Sequence, residues 1–129
     1  MKHSRLTEKI IGCAYSVHNT MGFGFLESVY ENCLMIELER AGLAAEQQVP
    51  IDVAYEGQPV GEFVADIVVE NTVILELKSV RRLMAAHEAQ LVNYLKATGK
   101  TVGLLLNFAE EGVEVKRRVQ TLRGGFRQA

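Results

Sequence analysis

The stretch Val64-Ala65-Asp66-Ile67-Val68-Val69-Glu70-Asn71-Thr72-Val73-Ile74-Leu75-Glu76-Leu77-Lys78 decides how this chain folds. Apolar segments rich in β-branched residues flank Glu70-Asn71-Thr72, a polar break of the kind that joins two antiparallel strands. Val60 to Val69 reads as one strand and Val73 to Ser79 as the next. If the loop holds those three residues, Val69 faces Val73, and counting outward brings Asp66 opposite Glu76, with Cβ atoms roughly 5 Å apart. Residues two apart on a strand share a face, so Glu76 and Lys78 project together while Leu75 and Leu77 point the other way. Two like charges placed opposite each other among Val64, Val68 and Ile74 are costly. A divalent cation between them removes that cost, and hard oxygen ligands suit Mg²⁺ or Mn²⁺. The hairpin alone is equally compatible with a surface ion pair linking Asp66, Glu76 and Lys78.

An acidic residue two before a lysine arises readily by chance, and the chain carries a second such triplet, Glu114-Val115-Lys116. That one lies on a terminal strand with no acidic partner opposite, and it reads as a solvated face.

Outward from the hairpin, the period of the apolar residues changes. Leu6, Ile10, Cys13, Ala14, Val17 and Met21 recur at helical steps and predict a first helix over about 4–20, with Ser4 or Thr7 as its cap. Met21-Gly22-Phe23-Gly24 interrupts the pattern. A second helix follows from about Leu26 to Arg40, burying Leu26, Val29, Cys33, Leu34, Ile36 and Leu38, with Gly42 placed to end it. Val49, Ile51, Val53 and Tyr55 alternate with polar residues and predict a strand before the turn at Glu56-Gly57-Gln58-Pro59. Beyond the hairpin, a third helix spans about Leu83 to Thr98 and stops at Gly99. Thr101 to Phe108 is a continuous apolar run that suits a strand covered on both faces. Val113 to Val119 completes the set, and residues 122–129 are expected to fray. The fold class is α/β in the order α-α-β-β-β-α-β-β. The helix between the third and fourth strands implies a crossover and hence a parallel pair inside a mixed sheet.

With 129 residues, the chain is expected to form one domain over 1–129. Hydrophobic residues make up 48% and charged residues 23%, as in ordinary globular proteins. The net charge of −2 argues against a general electrostatic binder of DNA. Basic residues nevertheless cluster at Lys78, Arg81 and Arg82, and from Lys116 onward. Cys13 and Cys33 are too few for an iron–sulfur cluster within one chain and read as free thiols, which points to the cytoplasm. No secretory leader or membrane span is expected, because every apolar window is broken by charge.

Two further constellations flank the hairpin. Gln90 and Tyr94 lie four apart on the third helix, with His87 one turn earlier. Gly24, Glu27 and Tyr30 stand at the entry to the second helix, where an acidic residue also favours the helix dipole. Taken in order, these residues resemble the PD-(D/E)XK nuclease superfamily, and more narrowly its small bacterial group with a G-x-x-E-x-x-Y motif, over roughly residues 5–120. One departure is Ala65 where the superfamily's name has proline.

The resemblance implies a restriction-endonuclease-like core, with a mixed β-sheet flanked by helices, and Mg²⁺- or Mn²⁺-dependent hydrolysis of phosphodiester bonds in DNA or RNA. The metal ligands it implies are Asp66, Glu76 and the Leu77 carbonyl, with Glu27 direct or through water. Lys78 would orient or deprotonate the attacking water, and Gln90 and Tyr94 would position phosphate or Lys78. Arg81, Arg82, Tyr30 and His18 are candidates for substrate contact, His18 also reading as an exposed or capping residue. A catalytically inactive module that binds nucleic acid or protein is the competing expectation, and a homodimer through an open sheet edge is compatible with either.

Overall fold

The computed structural model describes residues 3–121, so the tail expected to fray, 122–129, lies outside the described residues. Its elements are α1 (Ser4–Met21), α2 (Glu27–Arg40), β1 (Ala45–Tyr55), β2 (Gln58–Val69), β3 (Val73–Lys78), α3 (Ala85–Thr98), β4 (Val102–Phe108) and β5 (Val113–Val119). The strands form one sheet in the order β1-β2-β3-β4-β5. Only β3 and β4 run parallel; the other neighbours are antiparallel. The α3 crossover supplies the connection that a parallel pair requires.

Each face of the sheet carries its own core. On one side α1 and α2 set Ile10, Ala14, Val17, Tyr30, Leu34 and Leu38 against Ile67, Leu75, Leu77, Leu104 and Leu106. On the other, Leu91, Tyr94 and Leu95 of α3 cover Ala65, Val68, Ile74 and Leu105. Every residue of β4 is buried, which accounts for a sequence that is apolar apart from Asn107. Burying each large aliphatic side chain here contributes roughly 1.5–3 kcal/mol.

The three-residue loop sets the register as expected, with Val69 facing Val73 and Ile67 facing Leu75. Glu70 and Asn71 both take positive φ, and the Thr72 amide closes the turn on the Val69 carbonyl at 2.9 Å. The β1–β2 hairpin turns more tightly than predicted, on Glu56 and Gly57 alone. Both have positive φ, as a two-residue loop demands. Gly42 ends α2 as expected: at φ 78° it lets the Leu43 and Gly42 amides reach back to the Leu38 and Glu39 carbonyls.

Several expectations change. Strand β1 begins at Ala45, not Val49, because pairing with β2 extends through the polar residues Glu46 and Gln47. Neither Ser4 nor Thr7 caps α1; Thr7 is buried within the helix and bonds the Ser4 carbonyl. In α2 the buried stripe is Tyr30, Leu34 and Leu38, while Leu26 and Ile36 are 75% and 54% exposed because they project away from the sheet. Met84 is exposed at the start of α3.

Gly103 sits where β4 passes under α3, and a Cβ there would lie 2.7 Å from Leu91 Cδ1 and 3.1 Å from Leu91 Cγ. Leu91 is fully buried and has little room to yield. Gly103→Ala is therefore expected to lower unfolding stability by about 1–3 kcal/mol in urea melts. Combined with Leu91→Val the cost should be less than additive, and full additivity would rule out this contact as the cause.

Candidate active site at the fork of β2 and β3

The β2–β3 ladder runs from Val69/Val73 to Ile67/Leu75 and then stops. Beyond it the strands separate, and their backbone amides need other acceptors. Two carboxylates provide them across the gap. The Asp66 amide donates to Glu76 Oε2 at 3.1 Å, and the Leu77 amide donates to Asp66 Oδ2 at 2.8 Å. Each side chain thus caps the opposite strand with one oxygen. The second oxygen of each carboxylate has no hydrogen bond among the described residues, and neither is a sealed, unpartnered atom. Two hard oxygens are left free to take a ligand, with the Leu77 carbonyl nearby in sequence.

Glu76 is only 5% exposed and Asp66 is half-buried. Burial pushes the Glu76 carboxyl from 4.5 up to about 8, reinforced by the Asp66 charge and opposed by the Asp66 amide and Lys78. Burial also raises Asp66, with the Leu77 amide opposing and the charges of Glu31 and Glu27 adding to the rise. Lys78 offsets these rises only in part, and a divalent ion is the kind of charge that relieves what remains. This donor chemistry fits Mg²⁺ or Mn²⁺. Among the described residues, however, no three acidic, histidine or cysteine side chains converge as a ready-made cage.

Around the fork, α3 contributes Tyr94. It is 8% exposed, stacks on Phe63 with ring centroids 3.6 Å apart, and has its hydroxyl raised by burial and then by the charges of Glu76 and Asp66. From α2, Glu27 is exposed and acts on Asp66 through its charge. Lys78 is half-buried on the same strand face as Glu76, and its charge favours ionisation of both carboxylates. No salt bridge joins Lys78 to either of them among the described residues.

Sequence reasoning missed two buried polar residues. Glu31, one turn after Glu27, is 8% exposed and accepts from Gln47 Nε2 at 2.8 Å and from Gln48 Nε2 at 3.0 Å. Gln48 takes positive φ where β1 comes opposite Asp66, between the pairs Gln47/Ile67 and Val49/Ala65. The second is Asn107, fully buried and paired in register with Lys78. Its amide bonds both the Val80 N–H and the Val80 carbonyl at 2.9 Å, which fixes the chain just beyond Lys78. A lone asparagine inside an apolar run was the available signal, since a buried amide must find partners.

Other expected residues fall elsewhere. Tyr30, expected to touch substrate, is fully buried, stacks on Phe108 and bonds the Gly22 carbonyl; it holds the loop before α2 instead. His18 binds the Ala109 carbonyl at 2.6 Å and ties α1 to the end of β4. Gln90 is exposed and makes no side-chain hydrogen bond among the described residues. Arg81 and Arg82 are exposed, Arg81 lining a cleft with Glu110, Glu111 and Glu114. Glu114 of the second triplet is half-buried, not solvated, because Asn107 Nδ2 reaches it at 3.3 Å.

A five-stranded mixed sheet between helices, with opposed carboxylates and a lysine where its central strands part, defines an α/β protein of nuclease-like architecture. A model of the PD-(D/E)XK nuclease superfamily matches residues 4–119, and the chain belongs to that superfamily. No curated protein sequence matches it. Two solved structures share the fold. The crystal structure of SSO0001 aligns with TM-score 0.60 at 18% identity over 77% of this chain and 52% of that one, so this chain spans about half of that protein's length. An alkaline exonuclease (LHK-Exo) from Laribacter hongkongensis aligns with TM-score 0.54 at 9% identity over 99% of this chain and 81% of that one.

The raised Glu76 carboxyl gives a signed expectation. Below about pH 4.5 both folded and unfolded states hold the proton, and this contribution to stability is fully present. As pH rises toward about 8 the unfolded chain releases the proton first, so metal-free stability falls across that window and levels above it. Glu76→Gln should flatten this slope in thermal melts without metal and be more stable than the parent at pH 8. Parallel melting curves for the two proteins would contradict the assignment.

Proposed function

We propose that this chain is a divalent-metal-dependent phosphodiesterase acting on nucleic acid, of the small group with the G-x-x-E-x-x-Y motif that Gly24, Glu27 and Tyr30 match. The observation that carries the proposal is the fork itself, with two opposed carboxylates, each holding one oxygen free, and a lysine on the same face. Members of the superfamily generally depend on a divalent metal. Asp66, Glu76 and the Leu77 carbonyl would hold Mg²⁺ or Mn²⁺, with Glu27 reaching through water. When bound, the ion supplies Lewis acidity and lowers the pKa of water.

Lys78 orients the attacking water or takes its proton, and offsets charge building on the phosphate. Asn107 keeps Lys78 in place by gripping the chain at Val80. Tyr94 donates toward phosphate from the α3 side, with Gln90 beside it on the helix. Arg81 and Arg82 are exposed cations suited to flanking phosphates. Free Cys13 and Cys33 support a cytoplasmic setting, and no helix among the described residues is long and apolar enough to cross a membrane. A homodimer through an open sheet edge is part of the same proposal.

A non-catalytic binding module is the second reading. It is favoured by the net charge of −2 and by the finding that, among the described residues, no three acidic, histidine or cysteine side chains converge. Two measurements separate the readings. Mn²⁺ should raise the melting temperature of the wild type and of Lys78→Ala but not of Asp66→Ala. Lys78→Ala should also lose about 10²-fold or more in cleavage of plasmid, linear and single-stranded substrates. Equal cleavage by wild type and Lys78→Ala, or a metal shift that survives Asp66→Ala, defeats the proposal.

A further inference from the structure

The loop between α1 and α2 exposes three large apolar side chains beside the acidic fork: Phe23 and Phe25 at 43% and Leu26 at 75%. With Gly24, Glu27 and Ser79 they line an open cleft of about 610 Å³. The cleft joins the fork at two points. Glu27 belongs to its wall and also acts on Asp66, and Ser79 directly follows Lys78.

The exposure is built in. Gly22 and Gly24 take φ of 74° and 112°, conformations that strain any other residue. The buried Tyr30 hydroxyl binds the Gly22 carbonyl and accepts the Phe25 amide at 3.3 Å, while Ser79 Oγ donates to the Phe25 carbonyl at 3.0 Å. Phe25 also meets the Tyr30 ring edge-on at 6.1 Å. The backbone is therefore clamped from helix and strand alike while the side chains face solvent. A loop serving only as a connector has no need of this arrangement.

Resting on the nuclease reading above, we propose that Phe23, Phe25 and Leu26 form a stacking platform for unpaired bases of the strand whose phosphate enters the fork. The substrate class is then single-stranded or frayed nucleic acid. An aromatic side chain can stack only on a base whose face is free, and faces inside a duplex are already covered. An occupant with anionic groups suits the site, because Lys78, on the face of the fork, directly precedes Ser79 of the cleft wall. A net charge of −2 argues against a general electrostatic hold on duplex backbone, and stacking supplies affinity of another kind.

The test uses the full chain with Ca²⁺, a hard cation that neutralises the carboxylates. The probes are an oligonucleotide bearing 2-aminopurine, single-stranded or in a blunt duplex, followed by fluorescence and anisotropy. Wild type should quench the single-stranded probe on binding. Phe23→Ala should weaken single-strand binding by about 5- to 150-fold with duplex binding unchanged, and Phe23→Trp should restore it. Phe25→Leu keeps bulk against Tyr30 while removing the ring, and should show a loss in the same direction. Unchanged single-strand affinity in the Ala variant, or an equal loss on the duplex, overturns the platform. So does a dimer that becomes a monomer on Phe23→Ala, because a second copy would then cover the face. Cleavage is assayed separately with Mn²⁺. A wild type that stacks the probe but cleaves nothing ends the nuclease reading alone, whereas one that cleaves but does not stack ends the platform alone.

Discussion

The structure turns on a place where backbone pairing fails and side chains replace it. Antiparallel strands satisfy each other's amides only while they stay together, and β2 and β3 part after Ile67 and Leu75. Two amides would be stranded at that point inside a half-apolar setting, at a cost of about 1–3 kcal/mol each. Asp66 and Glu76 remove that cost by accepting across the gap. The same bonds bring the two carboxylates close enough for the Asp66 charge to raise the cost of ionising Glu76, which Lys78 offsets only in part. Structure and electrostatics are coupled here: what bridges the gap between the strands also concentrates negative charge in it.

The surrounding elements tolerate this arrangement because the fork lies where the two cores meet. Leu75 and Leu77 anchor β3 in the α1–α2 core, and Ile74 anchors it in the α3 core, so the strand cannot slip to separate the charges. A one-residue slip would invert every side chain and bury Lys78 in place of Leu77. Asn107 adds a polar lock from β4, and the Glu31–Gln47–Gln48 network adds one from the α2 side. Buried polar groups that are this well satisfied favour one arrangement over its competitors.

Much of this was legible in the sequence because it depends on local rules. A three-residue loop fixes register, register fixes which residues oppose each other, and alternation fixes which share a face. Those steps bring Asp66, Glu76 and Lys78 together, while their reading as a site needed the flanking motifs and the resemblance these carry. What escaped depends on tertiary partners. Nothing local says that Tyr30 turns into the core instead of toward a substrate, since its burial requires Phe108 from a distant strand. Nor does the α2 pattern reveal that Glu31 is buried, because the two glutamines that satisfy it arrive from β1. The strand itself was read four residues short for the same reason. Glu46 and Gln47 look like loop residues until β2 is there to pair with them.

Ala65 shows how one geometry can be reached by two routes. Proline before the first carboxylate would hold the chain extended through its ring, which fixes φ near −65° and removes an amide. Here that position is fully buried under α3 and pairs with Val49 of β1, so the neighbouring strand imposes the extended path. The alanine side chain is also small enough to sit within the core formed with Leu91 and Tyr94. A β-ladder constrains direction as firmly as a ring, but only where the partner strand reaches that far. In this chain β1 does reach, because Val49 pairs with Ala65 and the ladder resumes beyond Gln48 at Gln47 and Ile67. The first strand thus does what a proline ring would do at that position: it holds the chain extended on its way into Asp66 and the fork.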